Sequence, residues 1–103
     1  MKNRVAIVSS NYYENITEGL VTGAKDKLDP SFDVYDYVVD GAWELIYKIN
    51  QLSSNDNIDK FIAIGVIVKG DTDHYEYISK SVADGLINLT IHKNIYICLL
   101  YTS

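Results

Sequence analysis

The sequence predicts an α/β fold, a three-layer αβα sandwich in which a four-stranded parallel sheet has helices on both faces. Short apolar segments typical of buried strands alternate with longer segments whose apolar residues recur every three or four positions, as on one helix face. Such strand–helix–strand units join parallel strands through right-handed crossovers. The chain has 103 residues, which predicts a single domain.

The first half of the chain predicts a strand, a helix and a second strand. The apolar run Val5 to Ser9 predicts the first strand, and the polar residues Ser10 to Asn15 predict a turn. Pro30 marks a point beyond the end of the following helix, and Asp33 to Val39 alternates as a second strand does. The apolar positions of the helix are Ile16, Leu20, Ala24 and Leu28.

The second half repeats this pattern. Gly41 ends the second strand, the unbroken apolar run Phe61 to Val68 predicts the third, and Ile95 to Tyr101 predicts the fourth. The second helix is predicted from Ala42, Leu45, Ile46, Ile49 and Leu52. The third helix is predicted from Ile78, Val82, Ala83, Leu86 and Leu89.

The composition argues against several classes of function. A formal net charge of −5 and no dense cluster of Lys or Arg argue against a nucleic-acid partner. No apolar run approaches the roughly 20 residues of a membrane span, and the N-terminal apolar stretch is too short for a signal peptide, so we expect a cytoplasmic protein without a membrane partner. The lone Cys98 has no partner for an internal disulfide.

The polar turn after the third strand is the first candidate site. Gly70 to His74 follows a strand and opens a helix, which is where open α/β sheets bind ligands. Backbone N–H groups and the Thr72 hydroxyl suit a phosphate, and His74 can transfer protons near neutral pH. Two alternatives stay open: a loop that only caps the helix, with His74 facing solvent, and a divalent metal site. We assign no metal, because consecutive first-turn side chains point in different directions.

Aromatic residues and a carboxylate follow the other strands at the same predicted edge. Tyr12 and Tyr13 come after the first strand, and Trp43 and Glu44 come after the second. A ring beside a carboxylate suits a hydroxylated heterocycle, although a core Trp and an exposed first-turn Glu are the simpler alternatives. The convergence of three strand ends predicts one crevice for small aromatic, hydroxylated and phosphorylated ligands.

Three motifs occur in order at these positions: SNYYENIT at 10–17, GAWEL at 41–45 and GVIVKGDTDHYEY at 65–77. Together they resemble the lumazine synthases, transferases of riboflavin biosynthesis that condense a ribitylaminouracil with dihydroxybutanone phosphate. The resemblance implies a flavodoxin-like wrapping of the sheet, no cofactor and no metal. It implies imine formation, phosphate elimination and ring closure with loss of water.

The resemblance also implies a role for each matching residue. His74 corresponds to the proton-transfer residue, and Tyr12 to an aromatic ring that stacks on the pyrimidine. The other residues expected to hold the pyrimidine and its ribityl chain are Ala42, Trp43, Glu44, Val66, Ile67 and Val68. The residues expected to receive the phosphate of the four-carbon substrate are Gly70, Asp71 and Thr72.

Assembly and length are further expectations from the resemblance. Family members form homopentamers, some of which build closed shells, and they continue beyond this point with further helices and a phosphate-binding Arg contributed by the neighbouring subunit. We therefore expect a C-terminally truncated domain over residues 1–97 that lacks the last helices and is inactive alone. Residues 98–103 match the translation of a transposon end used in sequencing libraries, which favours a non-native read-through tail.

Two other functions are compatible with the same fold. One is a binding module that holds a flavin-like or phosphorylated ligand without turnover, and the other is a shell-forming structural protein. His74 beside an intact Gly70-Asp71-Thr72 turn favours the enzyme, because neither binding nor assembly requires a proton carrier there.

Overall fold

The described part of the chain forms one parallel sheet flanked by three helices. A computed structural model describes residues 3–10, 14–66 and 74–102. The fold class predicted from the sequence, an α/β domain with a four-stranded parallel sheet, is confirmed. The elements in chain order are β1 (Arg4–Ser10), α1 (Glu14–Lys27), β2 (Asp33–Val39), α2 (Ala42–Asn55), β3 (Lys60–Val66), α3 (His74–Lys93) and β4 (Tyr96–Thr102).

The strand order β2-β1-β3-β4 decides on which face each helix lies. The step from β1 to β2 crosses the sheet in one direction, whereas the steps to β3 and β4 cross it in the other. Right-handed crossovers therefore put α1 on one face and α2 with α3 on the opposite face. In agreement, α2 packs against α3, while α1 packs on β1 and β3. The predicted three layers are present.

The buried core lies between the sheet and the layer made by α2 and α3. Successive residues of a strand point to opposite faces, so Ala6 and Val8 of β1 face α2, whereas Ile7 and Ser9 face α1. The buried residues of this core are Ala6, Val8, Leu45, Ile49, Leu52, Ile58, Phe61, Ala63, Val82 and Leu86. This packing fixes α2, and with it the first turn of α2, against the central strand.

Some element boundaries differ from those predicted. Ser10, predicted to begin a turn, instead pairs with Val39 of β2 and ends β1 as a buried residue. Strand β2 has the predicted bounds, and β4 begins and ends one residue later than predicted. Residues 67 and 68 of the predicted third strand lie outside the described residues.

The end of the described chain takes part in the sheet. Residues 98–102 continue β4 and pair with β3, for example Thr102 with Val66. Their origin as a read-through tail stays a prediction, as does the domain boundary at residue 97. Among the described residues, no helix combines the length and the apolar character needed to cross a bilayer.

Two helical glycines provide a matched test of the contact between α2 and α3. A Cβ added at Gly23 of α1 would have nothing within 4 Å, whereas a Cβ at Gly85 of α3 would run into Ile46, with Cγ1 3.2 Å away. We expect Gly23→Ala to raise the free energy of unfolding by about 0.5–1 kcal/mol through helix propensity. We expect no such gain in the free energy of unfolding for Gly85→Ala, because the added Cβ forces the Ile46 side chain to move. Urea unfolding measures both, and equal stabilisation would contradict close packing at Gly85.

Candidate functional site

The carboxyl ends of β1, β2 and β3 stand level at one edge of the sheet. Ser9 pairs with Val38 on one side and with Ile64 on the other, so the three strands end within about one residue of each other at this edge. Helices α2 and α3 begin at this same edge, because each follows a parallel strand. This edge, termed the crevice below, is the place where the sequence predicts a ligand, whereas the roles of its residues stay predictions.

The structure brings five of the predicted site residues to the crevice. Ala42, Trp43 and Glu44 form the first turn of α2, Val66 is the last residue of β3, and His74 is the first residue of α3. The predicted site residues that lie outside the described residues are Tyr12, Ile67, Val68, Gly70, Asp71 and Thr72. The described part of the crevice is therefore its α2 side.

The first turn of α2 places a carboxylate at the crevice. Gly41 precedes the helix in an extended conformation, and the backbone N–H of Glu44 donates to its carbonyl at 3.2 Å. The Glu44 carboxylate folds back over this residue, since its Oε2 lies 2.9 Å from the point that a Cβ on Gly41 would occupy. A negative charge is stabilised at a helix N-terminus. Glu44 can accept hydrogen bonds there from hydroxyl or N–H groups.

Trp43 lies beside this carboxylate and is not a core residue. Its side chain is 48% exposed, so the alternative that Trp43 is part of the core is wrong. Glu44 is exposed, which agrees with the alternative of an exposed Glu in the first turn of the helix. A half-exposed indole at the mouth of a crevice offers an apolar face to a heterocycle.

Two polar residues where β1 meets α1, Ser10 and Thr17, were not predicted as part of the site. The buried Thr17 hydroxyl of α1 donates to the Ser10 carbonyl at 2.9 Å and ties the helix to the strand end. The Ser10 hydroxyl is buried and has no hydrogen-bond partner among the described residues. The signal available in the sequence was the alternation of Ala6, Val8 and Ser10, which puts all three on one face.

The carboxyl and phenol groups of the described chain whose pKa values are shifted lie away from the crevice. The Ser31 backbone N–H hydrogen-bonds Asp29 at 2.8 Å and lowers the pKa of that carboxyl. The hydroxyl of Tyr35 donates to Asp33 at 3.1 Å, which raises the Tyr35 pKa. Asp33 begins β2, so this pair belongs to the opposite edge of the sheet.

A metal centre finds no support in the described part of the chain. Among residues 3–10, 14–66 and 74–102, no three His, Cys, Asp or Glu side chains lie close enough together to hold a metal ion. The described side of the crevice instead offers an indole, one carboxylate and one buried hydroxyl. These groups suit an uncharged or hydroxylated heterocycle.

Comparison with known proteins gives a match over nearly the whole chain. The sequence model of the 6,7-dimethyl-8-ribityllumazine synthase family matches residues 2–102. The protein of that name from Limosilactobacillus reuteri is 36% identical over 94 residues, which cover 88% of this chain and 61% of the relative. The Bartonella henselae protein is 35% identical over 99 residues, covering 93% and 64%. The Aquifex aeolicus protein is 35% identical over 92 residues, covering 85% and 60%. The chain thus spans about three-fifths of the length of these relatives.

Proposed function

This chain belongs to the 6,7-dimethyl-8-ribityllumazine synthase family, and from that premise we propose that it carries out the condensation of ribitylaminouracil with dihydroxybutanone phosphate in riboflavin biosynthesis. The observation that carries the proposal is the family match over residues 2–102, which includes all the motifs at the crevice. The carboxyl ends of β1, β2 and β3 support it, because they lie at one edge of the sheet and each of the three motifs begins at or just after one of them.

The α2 side of the crevice is proposed to bind the uracil. Trp43 is half-exposed and Glu44 carries a carboxylate at the helix N-terminus, so a ring and its ribityl hydroxyls find an apolar face and an acceptor there. Tyr12, Ala42, Val66, Ile67 and Val68 complete this proposed pocket. The pocket requires no cofactor.

The start of α3 is proposed to bind the phosphate. Gly70, Asp71 and Thr72 precede a helix of 20 residues that begins at His74. The positive end of the helix dipole and the backbone N–H groups before it attract a phosphate. The four-carbon substrate then lies with its phosphate near α3 and its ketone toward the uracil.

The proposed reaction needs proton transfers but no external oxidant. The primary amine of the uracil attacks the ketone, and loss of water gives an imine. Removal of a proton from the hydroxyl-bearing carbon expels phosphate, and the resulting enol becomes a ketone. The ribityl-bearing nitrogen attacks this ketone and closes the ring with loss of a second water. His74 is proposed to move the protons of these steps, which general acid–base catalysis assigns to a group titrating near neutral pH.

The whole protein is proposed to be a cytoplasmic homo-oligomer, a pentamer or a larger shell, whose partners are its two substrates. This chain spans about three-fifths of its relatives, and we propose that the part of those relatives without a counterpart here completes the active site. The extended chain is this chain followed by the C-terminal segment of the Limosilactobacillus reuteri relative that has no counterpart in it.

We expect the extended chain to form lumazine and the 103-residue chain alone to form little or none. Each purified protein is mixed with ribitylaminouracil and dihydroxybutanone phosphate, and lumazine absorbance is followed over time. Circular dichroism and sedimentation verify that both proteins are folded. Absence of product from a folded, assembled extended chain would overturn the proposed activity. Ligand binding without turnover in that sample would favour the binding module.

A further inference from the structure

The Ser10 hydroxyl is a buried polar group that forms no hydrogen bond with the described residues. Ser10 is 1% exposed, and its Oγ has no hydrogen-bond partner among the described residues. Its carbonyl accepts from Thr17, and the residue pairs with Val39 of β2. The unpartnered atom is therefore the side chain alone.

Ser10 lies under the first turns of α2. It shares a strand face with Val8, which packs in the core against this helix. Val39 is its partner on β2, and Gly65 lies beside it on β3, next to the partner of Ser9. The Leu45 side chain packs against Gly65, because its Cδ1 lies 3.4 Å from the point that a Cβ on Gly65 would occupy. These four residues, Ser10, Val39, Leu45 and Gly65, are termed the Ser10 niche.

A hydroxyl in such a niche destabilises the folded state relative to a methyl group. The niche supplies apolar side chains and a glycine, and a polar atom buried among them loses its hydrogen bonds to water without replacement. Buried polar groups in native proteins nearly always have partners, so an exception points to a partner that the free protein lacks. The niche lies at the crevice, next to an N-terminus that already carries Glu44.

We propose that the Ser10 hydroxyl is a substrate-binding contact for the heterocyclic ring, made when the ring enters the crevice. This inference rests on the proposed function. A hydroxyl both donates and accepts, which suits a ring edge that carries C=O and N–H groups side by side.

The phosphate is a poorer candidate for this contact. The proposed phosphate turn precedes α3, whereas the Ser10 niche includes Leu45 of α2. The niche therefore distinguishes the two substrates. A change at Ser10 is expected to affect the uracil and to leave the butanone phosphate unaffected.

Ser9→Ala is the matched control for Ser10→Ala. Ser9 is also buried on β1, but it faces α1 and lines an open groove of about 310 Å³ with Thr17 and Val38. Its hydroxyl lies 3.5 Å from the carbonyl oxygen of Tyr37, at the limit of a hydrogen bond. The two variants remove the same atom from adjacent positions on opposite faces.

The first measurement is the thermal unfolding of the free protein. We expect Ser10→Ala to raise the midpoint of unfolding, because it removes an unpartnered hydroxyl. We expect Ser9→Ala to leave it unchanged or slightly lower. A lower midpoint for Ser10→Ala would overturn the inference, because it would mean that the hydroxyl already has a stabilising partner in the free protein.

The second measurement is binding of 6,7-dimethyl-8-ribityllumazine to the 103-residue chain and to the extended chain, by titration calorimetry. We expect Ser10→Ala to weaken binding by roughly 5- to 30-fold, the effect of losing one hydrogen bond to a neutral group. In the extended chain, KM for ribitylaminouracil rises and KM for the butanone phosphate stays constant. Ser9→Ala binds like the wild type.

The outcomes separate this inference from the proposed function. If neither wild-type protein binds the lumazine, the proposed function fails, and the inference fails with it. If the wild type binds and Ser10→Ala binds equally well, the proposed function stands and the Ser10 contact is wrong. A rise in both KM values together would likewise overturn the assignment to the heterocycle.

Discussion

His74→Ala in the extended chain is expected to lower kcat for lumazine formation by about 10²- to 10⁴-fold, the usual effect of removing a general acid–base group. His74 is the first residue of α3, at the crevice edge that receives both proposed substrates. Each of the proposed steps moves a proton, and imidazole is the side chain whose unperturbed pKa lies nearest neutrality. Stopped-flow absorbance under saturating substrates measures the effect.

The chain supplies its own control for this prediction. It contains two histidines, and the second, His92, lies in the last turn of the same helix, with Nδ1 2.8 Å from the Asn88 carbonyl oxygen. His92→Ala should leave kcat within about two-fold, because an exposed side chain far from the crevice has no catalytic contact. Similar losses for both variants would point to damage of α3 rather than to lost catalysis.

Ile49→Ala is expected to lower the free energy of unfolding by about 2–5 kcal/mol, the usual penalty for truncating a large core side chain. Ile49 of α2 is 0% exposed and belongs to the core cluster that includes Val8 and Phe61. The truncation removes apolar contact and leaves a cavity in a close-packed layer. Urea unfolding followed by circular dichroism gives the change.

Ile91→Ala makes the same chemical change on the surface of α3. Ile91 is 70% exposed, so its truncation should change the free energy of unfolding by no more than about 0.5 kcal/mol. Should Ile49→Ala fail to fold, Ile49→Val still tests the site, with an expected loss of about 0.5–1.5 kcal/mol. Equal losses at the two positions would contradict the described core.

The order and type of the elements could be predicted from the sequence because apolar spacing reports burial directly. The run Asp33 to Val39 alternates, and the strand observed there has these bounds. Helix α2 has three buried residues, Leu45, Ile49 and Leu52, at the spacing that predicted it. In both elements the local pattern and the packing agree.

The site was harder to predict because its details depend on distant partners. Ser10 has the composition of a turn, but its pairing with Val39 makes it part of a strand. The exposure of Trp43 depends on how α2 lies on the sheet, which is set by core residues further along that helix. Short-range patterns contain neither kind of information.

The central position of β1 has a consequence for the order in which the sheet is completed. Of the four described strands, β1 leaves the ribosome first, and its neighbour β2 follows after a single helix. Its other neighbour, β3, is synthesised much later. Until then the β3-facing edge of β1 is unpaired, including Ala6, which pairs with Phe61 in the finished sheet. Closing this longer loop is entropically less favourable than closing the first one. The nascent chain therefore passes through a stage in which a half-built sheet exposes β1, which is buried along nearly its whole length in the finished fold, to other molecules.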